Sequence, residues 1–247
     1  IVGGRKEINM KDEKWRSEDG KQRIMQGWMK EFNTVVHDKK ALRPIPLEES
    51  RVLRQQYPDR IMPSRLVLTE KDQEDGTFVV KARWTARGDR DPDLYSLVRD
   101  GRTQAPTISA NGRFLVLQII ASLRFVLQLG DVTGAFLESD ALSREHGPLF
   151  MDAPRHDLPG YEPGQLFEVI RPMYGLNDSP QLWFRKFRNT TTGLKWKQSR
   201  MDPCVFLLWD GDTLVGIMGV HVDDVLVGGR GELFEESLKL LKKQFPF

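Results

Sequence analysis

The sequence has little of what several protein classes require. Its 247 residues include a single cysteine, Cys204, which excludes an internal disulfide and fits a reducing compartment. With one cysteine and four scattered histidines, no zinc-ligand spacing is present. The longest apolar runs, such as 114–117 and 214–220, are far shorter than the ~20 residues that cross a bilayer, and no secretory signal is visible at the start. We therefore expect no membrane association, and neither a disulfide scaffold nor a zinc domain.

The charge balance is nearly even. The net charge is +2 and the sequence pI is about 8.6, so any binding of nucleic acid must come from local basic patches. The first residue is Ile1 rather than Met, and we expect a fragment or a processed product. Residues 1–4, Ile-Val-Gly-Gly, match the mature amino terminus of trypsin-like serine proteases, but no Gly-rich serine segment or catalytic histidine accompanies them. We reject that interpretation.

Hydrophobic periodicity and turn residues predict an α+β fold. Residues 1–22 are polar and charged, and we expect a flexible lead-in there. The predicted helices are 23–35, 113–123, a helix starting over 179–187, and 232–244. The predicted strands are 64–69, 77–84, a buried strand at 125–132, 166–170, 204–208, 214–220 and 225–227. Loops are predicted over 42–53, 87–104 and 138–165, and Asp75-Gly76 predicts a hairpin turn.

Two adjacent aspartates, Asp223 and Asp224, stand between two apolar runs. Because neighbouring residues of a strand point to opposite faces, adjacent carboxylates within one continuous strand would send one charge into the core. A tight turn that carries both carboxylates at its tip avoids this cost. Such a turn is either ordinary hairpin chemistry or a divalent-cation site, and this segment alone does not decide between them.

A third aspartate, Asp131, ends the apolar segment 125–132 and is followed by Gly134, Ala135 and Phe136. One interpretation is a helix N-cap, which aspartate favours. The other is that this strand-end carboxylate meets Asp223 and Asp224 in a two-metal site for Mg²⁺, or for Mn²⁺ in its place. Two such ions about 3.5–4 Å apart can hold the attacking and leaving oxygens of a phosphoryl transfer.

Six blocks extend this pattern along the chain. They are 81–88, 131–137, 151–154, 173–180 with Trp183 just after, 202–206 and 221–224. In order and spacing they resemble the reverse transcriptase of copia-type LTR retrotransposons, in which the last block reads Tyr-Val-Asp-Asp. The blocks cover most of residues 24–244. The resemblance implies a right-hand polymerase fold with fingers and palm subdomains and an antiparallel palm sheet, the thumb being missing from this chain. The fingers would comprise about 23–124 and 138–180, and the palm about 125–137 and 181–247.

The resemblance also implies roles for individual residues. Asp131, Asp223 and Asp224 would be the catalytic residues and the metal ligands. The residues that would bind the dNTP are Lys81, Arg83, Phe136, Tyr174 and Gly175. Structural roles are the alternative, namely core packing for the aromatic residues and a solvated strand face for the cations.

A basic stretch follows Trp183. Residues 185–200 hold six cations and no acidic residue, with aromatic residues between them. The residues predicted to bind nucleic acid are Arg185, Lys186, Arg188, Lys195, Lys197 and His221. A plain solvated face, with the aromatic residues packed inward, is the alternative.

Two departures from the family pattern bear on activity. His221 stands where the family usually has tyrosine, and Asn177-Asp178 replaces Lys-Gln, which trades a positive charge for a negative one near template or nucleotide. Together with the missing thumb, these changes predict that the chain alone is weakly active or inactive.

Two functions are therefore carried forward. The first is the RNA-directed DNA polymerase domain of a copia-type retrotransposon, which transfers nucleotides from dNTP to a primer 3′-hydroxyl on an RNA or DNA template. The second is a truncated, inactive relic that retains nucleic-acid binding. By resemblance, the partners include the rest of a Pol polyprotein, with integrase upstream and thumb and RNase H downstream. The location would be intracellular, in a cytoplasmic virus-like particle.

Overall fold

A computed structural model describes residues 7–9, 11–73, 77–154 and 158–247. Within these residues the α-helices are α1 (Glu13–Arg16), α2 (Glu18–Phe32), α3 (Leu47–Gln56), α4 (Leu94–Arg99), α5 (Ala110–Ser122), α6 (Ser179–Gly193) and α7 (Glu232–Gln244). The strands are β1 (Leu42–Pro44), β2 (Ile61–Met62), β3 (Ser64–Asp72), β4 (Phe78–Ala86), β5 (Val126–Asp131), β6 (Phe150–Asp152), β7 (Leu166–Val169), β8 (Lys197–Gln198), β9 (Val205–Asp210), β10 (Thr213–His221) and β11 (Asp224–Gly229). This mixture of helices and mainly antiparallel strands is the predicted α+β class. No helix of the described part is both long and apolar enough to cross a bilayer.

The chain divides into two compact units. The first comprises the described part of Ile1–Asp100 together with Ala141–Ser179. It contains the β3–β4 hairpin and a four-stranded sheet of order β1-β7-β6-β2. An aromatic cluster forms its core, in which Trp84 packs edge-on against Phe167 at 4.8 Å and lies 5.3 Å from Trp28 between ring centroids. Helix α2 therefore packs along β4.

The second unit comprises Gly101–Asp140 and Pro180–Phe247. Its five-stranded sheet has the order β5-β11-β10-β9-β8, and each neighbouring pair is antiparallel. Successive residues of β10 point to opposite faces. Ile217 joins a core cluster with Val116 of α5, and Met218 joins one with Phe187 of α6 and Phe234 of α7. Helices therefore cover both faces of this sheet.

Several predicted elements are confirmed. Helix α7 has the predicted bounds 232–244, and the runs 204–208, 214–220 and 225–227 are β9, β10 and β11. Strands β3 and β4 form the predicted antiparallel hairpin. Its predicted Asp75-Gly76 turn lies outside the described residues.

Other predictions are wrong. The predicted loop 42–53 contains β1 and most of α3, the loop 87–104 contains α4, and the loop 138–165 contains β6. The predicted domain bounds stay predictions. The range 1–22 contains α1 and the start of α2, and Trp15 of α1 is buried against Phe78. Helix α5, in the range 23–124 predicted as fingers, packs on β10 and β11 in the second unit.

The predicted buried strand 125–132 is also corrected. Strand β5 lies at one edge of its sheet, and Val126 and Leu129 are 71% and 77% exposed. Its apolar sequence is typical of a buried strand, but an edge position leaves both faces of the strand partly uncovered.

Candidate active site

A two-residue turn between β10 and β11 carries the aspartate pair. His221 pairs with Asp224 across the hairpin, so Val222 and Asp223 form the loop. Val222 has φ of +60°, in the left-handed region, which is costly for a β-branched residue. Such backbone strain costs roughly 1–3 kcal/mol and persists where the surrounding structure enforces it.

The backbone carbonyls of this turn are both anchored. The indole N–H of Trp183 donates to the Val222 carbonyl at 2.7 Å. The Val132 N–H donates to the Asp223 carbonyl at 2.8 Å. The turn is therefore tied to α6 on one side and to the end of β5 on the other.

Strand β5 brings the third carboxylate. It pairs with β11 so that Asp131 lies directly opposite Asp224. The alternative interpretation of Asp131 as a helix N-cap is wrong, since Gly134 precedes the short 3₁₀-helix Ala135–Glu138. Just beyond β5, the Thr133 N–H donates to the Pro246 carbonyl at 2.9 Å, which ties this strand end to the segment that follows α7.

The three predicted metal ligands therefore come together. Ligand oxygens of Asp131, Asp223 and Asp224 lie within 4.8 Å of one another, and all three residues are exposed. Carboxylate oxygens that face solvent at this spacing suit hard divalent cations such as Mg²⁺ or Mn²⁺, whereas three clustered negative charges repel one another without a cation. The donor set thus fits the predicted ions.

Phe136 lies in the same unit, on the 3₁₀-helix that follows Asp131. Its side chain is partly buried and packs against the core cluster that contains Trp183 and Phe187. The partly exposed ring meets the requirement for a wall of a nucleotide pocket, and its packing also gives it the structural role that was the alternative.

The other residues predicted to bind dNTP lie in the first unit. Lys81 and Arg83 share one face of β4, opposite to the buried Val80, Ala82 and Trp84. The Arg83 guanidinium lies over the Tyr174 ring at 5.5 Å, so the structure brings these two predicted residues together.

Gly175 is required by packing within the first unit. Its φ is +90°, and a Cβ there would overlap the Ala86 carbonyl oxygen. The Ala86 N–H in turn donates to the Tyr174 carbonyl at 2.8 Å. The close approach that glycine permits is therefore to the backbone at the end of β4.

A glutamate that the sequence analysis missed lies behind Arg83. Glu31 of α2 accepts a hydrogen bond from the Trp84 N–H at 2.9 Å. Burial raises the pKa of this carboxyl to about 7, although the Trp84 hydrogen bond and the charges of Arg83 and Lys81 lower it. In the sequence, the signal for the burial of Glu31 was its position beside the apolar stripe that contains Trp28 and Phe32.

Two cations of the basic stretch already interact with other side chains of the protein. Lys186 pairs with Asp140 at 2.7 Å, and Arg188 donates to the Asn189 side chain at 3.0 Å. The remaining predicted nucleic-acid-binding residues, Arg185, Lys195, Lys197 and His221, are exposed. Trp183, Phe187 and Trp196 are buried and pack inward, whereas Phe184 is only partly buried.

The departure at Asn177-Asp178 has a structural explanation. Asp178 is buried and pairs with Arg144 at 3.0 Å, and Arg144 also pairs with the buried Asp91 at 3.0 Å. Asn177 donates to the Gly88 carbonyl at 2.6 Å. The expectation that Asp178 places a negative charge near template or nucleotide is therefore corrected, because this carboxylate is buried in an ion-pair cluster with Arg144 inside the first unit.

Comparison with known proteins agrees with this arrangement. The family model described as Reverse transcriptase (RNA-dependent DNA polymerase) matches residues 50–247. The retrovirus-related Pol polyprotein from transposon RE1 of Arabidopsis thaliana is 26% identical over 245 residues, which is 96% of this chain and 14% of that polyprotein. The RE2 polyprotein of the same plant is 27% identical over 75% of this chain and 12% of its own length. The polyprotein from transposon TNT 1-94 of Nicotiana tabacum is 25% identical over 55% of this chain and 10% of its own length.

This chain thus spans only a small part of the curated relatives that it matches. The family match covers most of the chain, and the relatives carry retrotransposon names. The chain belongs to the reverse transcriptase (RNA-dependent DNA polymerase) family, and within it to the copia-type retrotransposon enzymes.

Proposed function

We propose that this chain is the part of a copia-type Pol polyprotein that extends a primer 3′-hydroxyl with dNTPs on an RNA or DNA template. The meeting of Asp131, Asp223 and Asp224 at one end of the five-stranded sheet carries the proposal. In this assignment the second unit is the palm and the first unit is the fingers. The relatives are Pol polyproteins, and by the family resemblance the partner segments would be an integrase upstream and a thumb and RNase H downstream.

The three aspartates hold the divalent cations. Two bound Mg²⁺ ions would stabilise the charge that develops on the attacking and leaving oxygens of the transfer. The protein keeps the carboxylates converged before any ion arrives, since the turn and the end of β5 are both tied down by backbone hydrogen bonds. This preorganisation lowers the cost of assembling the site.

The family resemblance assigns the remaining contacts residue by residue. Arg83 and Lys81 bind the triphosphate, and Tyr174 and Gly175 shape the base and sugar side. The Phe136 ring lies against the sugar of the incoming nucleotide and sterically disfavours a 2′-hydroxyl. The exposed cations at 185, 195 and 197, with the partly committed Lys186 and Arg188, contact the phosphate backbone of the primer–template, and His221 lies beside the primer end.

Substitution of one carboxylate tests the proposal. We expect Asp131→Asn to abolish Mn²⁺ binding, measured by titration calorimetry. In a chain extended through the thumb, it should reduce Mg²⁺-dependent primer extension by at least about 100-fold. Asp212→Asn, in the turn between β9 and β10, changes charge equally and should leave both quantities unchanged. Mn²⁺ binding that survives Asp131→Asn would sink the two-metal assignment.

The exposed His221 favours a second candidate function, namely a relic that binds nucleic acid but does not synthesise DNA. In that case the unsubstituted chain binds a primer–template duplex but incorporates no dNTP. Recovery of synthesis in His221→Tyr would then assign the loss to this position.

A further inference from the structure

The aspartate turn has a feature that the metal ligands do not explain. Val222 sits at φ +60° between His221 and Asp223. The two-residue loop between β10 and β11 requires a positive φ at this position, and a β-branched residue adopts it only with strain. A contact from outside the hairpin can therefore help to hold the turn.

We propose that Trp183 is a positioning residue for the metal site, whose indole N–H holds the Val222 carbonyl and so keeps the strained aspartate turn in its metal-binding conformation. The donor lies 2.7 Å from the acceptor and comes from α6, 39 residues away in sequence. This inference deepens the proposed function and rests on its metal site.

The indole is rigidly held. Trp183 is 1% exposed, and its ring packs edge-on against Phe245 at 5.0 Å and at a tilt against Phe187 at 5.7 Å. Because the ring is enclosed on these sides, its N–H has a fixed direction and holds the carbonyl at little entropic cost.

The described residues that line the space beside the indole are apolar and offer no other side-chain N–H in its place. A small cavity of about 20 Å³ borders Trp183 and Val222, and its other lining includes Pro106, Pro180 and Val220. A water molecule there would find few polar partners among these apolar side chains. Loss of the indole N–H would leave the Val222 carbonyl poorly paired and release the strained turn.

The same aromatic cluster reaches the other half of the site. Phe245, which packs on Trp183, precedes Pro246, and the Pro246 carbonyl accepts the N–H of Thr133. The Val132 N–H then anchors the Asp223 carbonyl. Trp183 thus lies in a continuous set of contacts that joins the turn to the end of β5.

The test compares two buried tryptophans of the same unit. Trp183→Phe removes the N–H to Val222, and Trp196→Phe removes a similar buried N–H that donates to the Ser237 hydroxyl at 2.7 Å. We expect Trp183→Phe to weaken Mn²⁺ binding, measured by calorimetry and by the electron paramagnetic resonance of free Mn²⁺, by about tenfold. Trp196→Phe should leave Mn²⁺ affinity unchanged although it also loses stability.

A second-site change separates positioning from general damage. Glycine adopts φ +60° without strain, so Val222→Gly should restore most of the Mn²⁺ affinity to Trp183→Phe. Should Trp183→Phe not fold, replacement of Trp183 by 3-benzothienylalanine, in which sulfur replaces the N–H, gives the same comparison with the ring shape kept. In a chain that extends primers, Trp183→Phe should lower kcat, whereas the KM for dNTP should change less.

Three results would overturn the inference. They are unchanged Mn²⁺ affinity in folded Trp183→Phe, an equal loss in Trp196→Phe, and no recovery with Val222→Gly. Absence of Mn²⁺ binding by the unsubstituted chain overturns both this inference and the proposed function. Mn²⁺ binding that depends on Trp183 in a chain without polymerase activity supports the inference while the proposed function fails.

Discussion

Gly175 shows how a single backbone position ties two segments of the first unit together. Its φ of +90° and its contact with the Ala86 carbonyl both exclude a side chain. We expect Gly175→Ala to lower the free energy of unfolding by roughly 3 kcal/mol or more, because strain and overlap with backbone act together. Urea denaturation measures the change.

Gly211 is the matched control for that substitution. It also has positive φ, +56°, but nothing lies within 4 Å of a Cβ placed on it. Gly211→Ala should therefore lower the free energy of unfolding by only about 1–2 kcal/mol, which is the cost of the left-handed conformation. Equal losses in the two variants would show that the approach to Ala86 contributes nothing.

Glu31 makes stability depend on pH. Its folded pKa of about 7 lies above the ordinary value of 4.5, so the folded protein keeps a proton that the unfolded chain has lost. Between about pH 4.5 and pH 7 the free energy of unfolding therefore falls as pH rises, and above pH 7 the penalty is constant.

Glu31→Gln should remove this penalty while its amide oxygen still accepts the Trp84 N–H. We expect the variant to be more stable than the parent by about 2 kcal/mol at pH 8, after allowance for partial exposure, and equal to it at pH 4. Urea denaturation at both pH values measures the difference. A gap that is the same at pH 4 and pH 8 would contradict the assignment.

The site was predictable from sequence where its chemistry is local. A charged pair between apolar runs favours a turn, and a strand-end aspartate adds a third carboxylate. With the family resemblance, the three residues of the proposed metal site could therefore be named in advance. The left-handed Val222 and the burial of Asp178 could not, because Trp183 and Arg144, which enforce them, are distant in sequence.

At the scale of elements, prediction succeeded where the pairing is local. Strands β9, β10 and β11 follow one another with short turns, and α7 has a clear apolar stripe. Strands β1 and β6 are three residues each and both pair with the more distant β7, so their own sequences carry little signal. The exposure of β5 follows from its edge position, which alternation along one strand cannot reveal.

Helix α6 offers a test of nucleic-acid contact that separates neighbouring cations. Arg185 is exposed, whereas Lys186 already pairs with Asp140. We expect Arg185→Gln to reduce the slope of log affinity against log salt concentration by about 0.7–0.9, the value of one lost phosphate contact, in anisotropy titrations with a primer–template duplex. Lys186→Gln should change the slope less. A larger effect at Lys186 would mean that nucleic acid displaces Asp140.

At the scale of the whole molecule, the chain passes between its two units after Asp100, Asp140 and Ser179. Each unit nevertheless has its own apolar core, an aromatic cluster around Trp84 in the first and the sheet-based clusters in the second. The proposed metal ligands all belong to the second unit, and Gly175 and Glu31 belong to the first. Perturbations of the two sets should therefore act on different cores.

We expect thermal unfolding to show two transitions that respond to different perturbations. Mn²⁺ at about 100 times its dissociation constant stabilises the state that binds it by about 2.7 kcal/mol, which raises one midpoint by roughly 10–15 °C. Asp131→Asn should abolish that increase while relieving charge repulsion in the metal-free protein. Gly175→Ala should lower only the other midpoint. Calorimetry of the three proteins with and without Mn²⁺ measures these shifts. If Mn²⁺ and Gly175→Ala move the same transition, the two cores unfold as one cooperative unit, and the stability of the metal site depends on the unit that holds Tyr174 and Arg83.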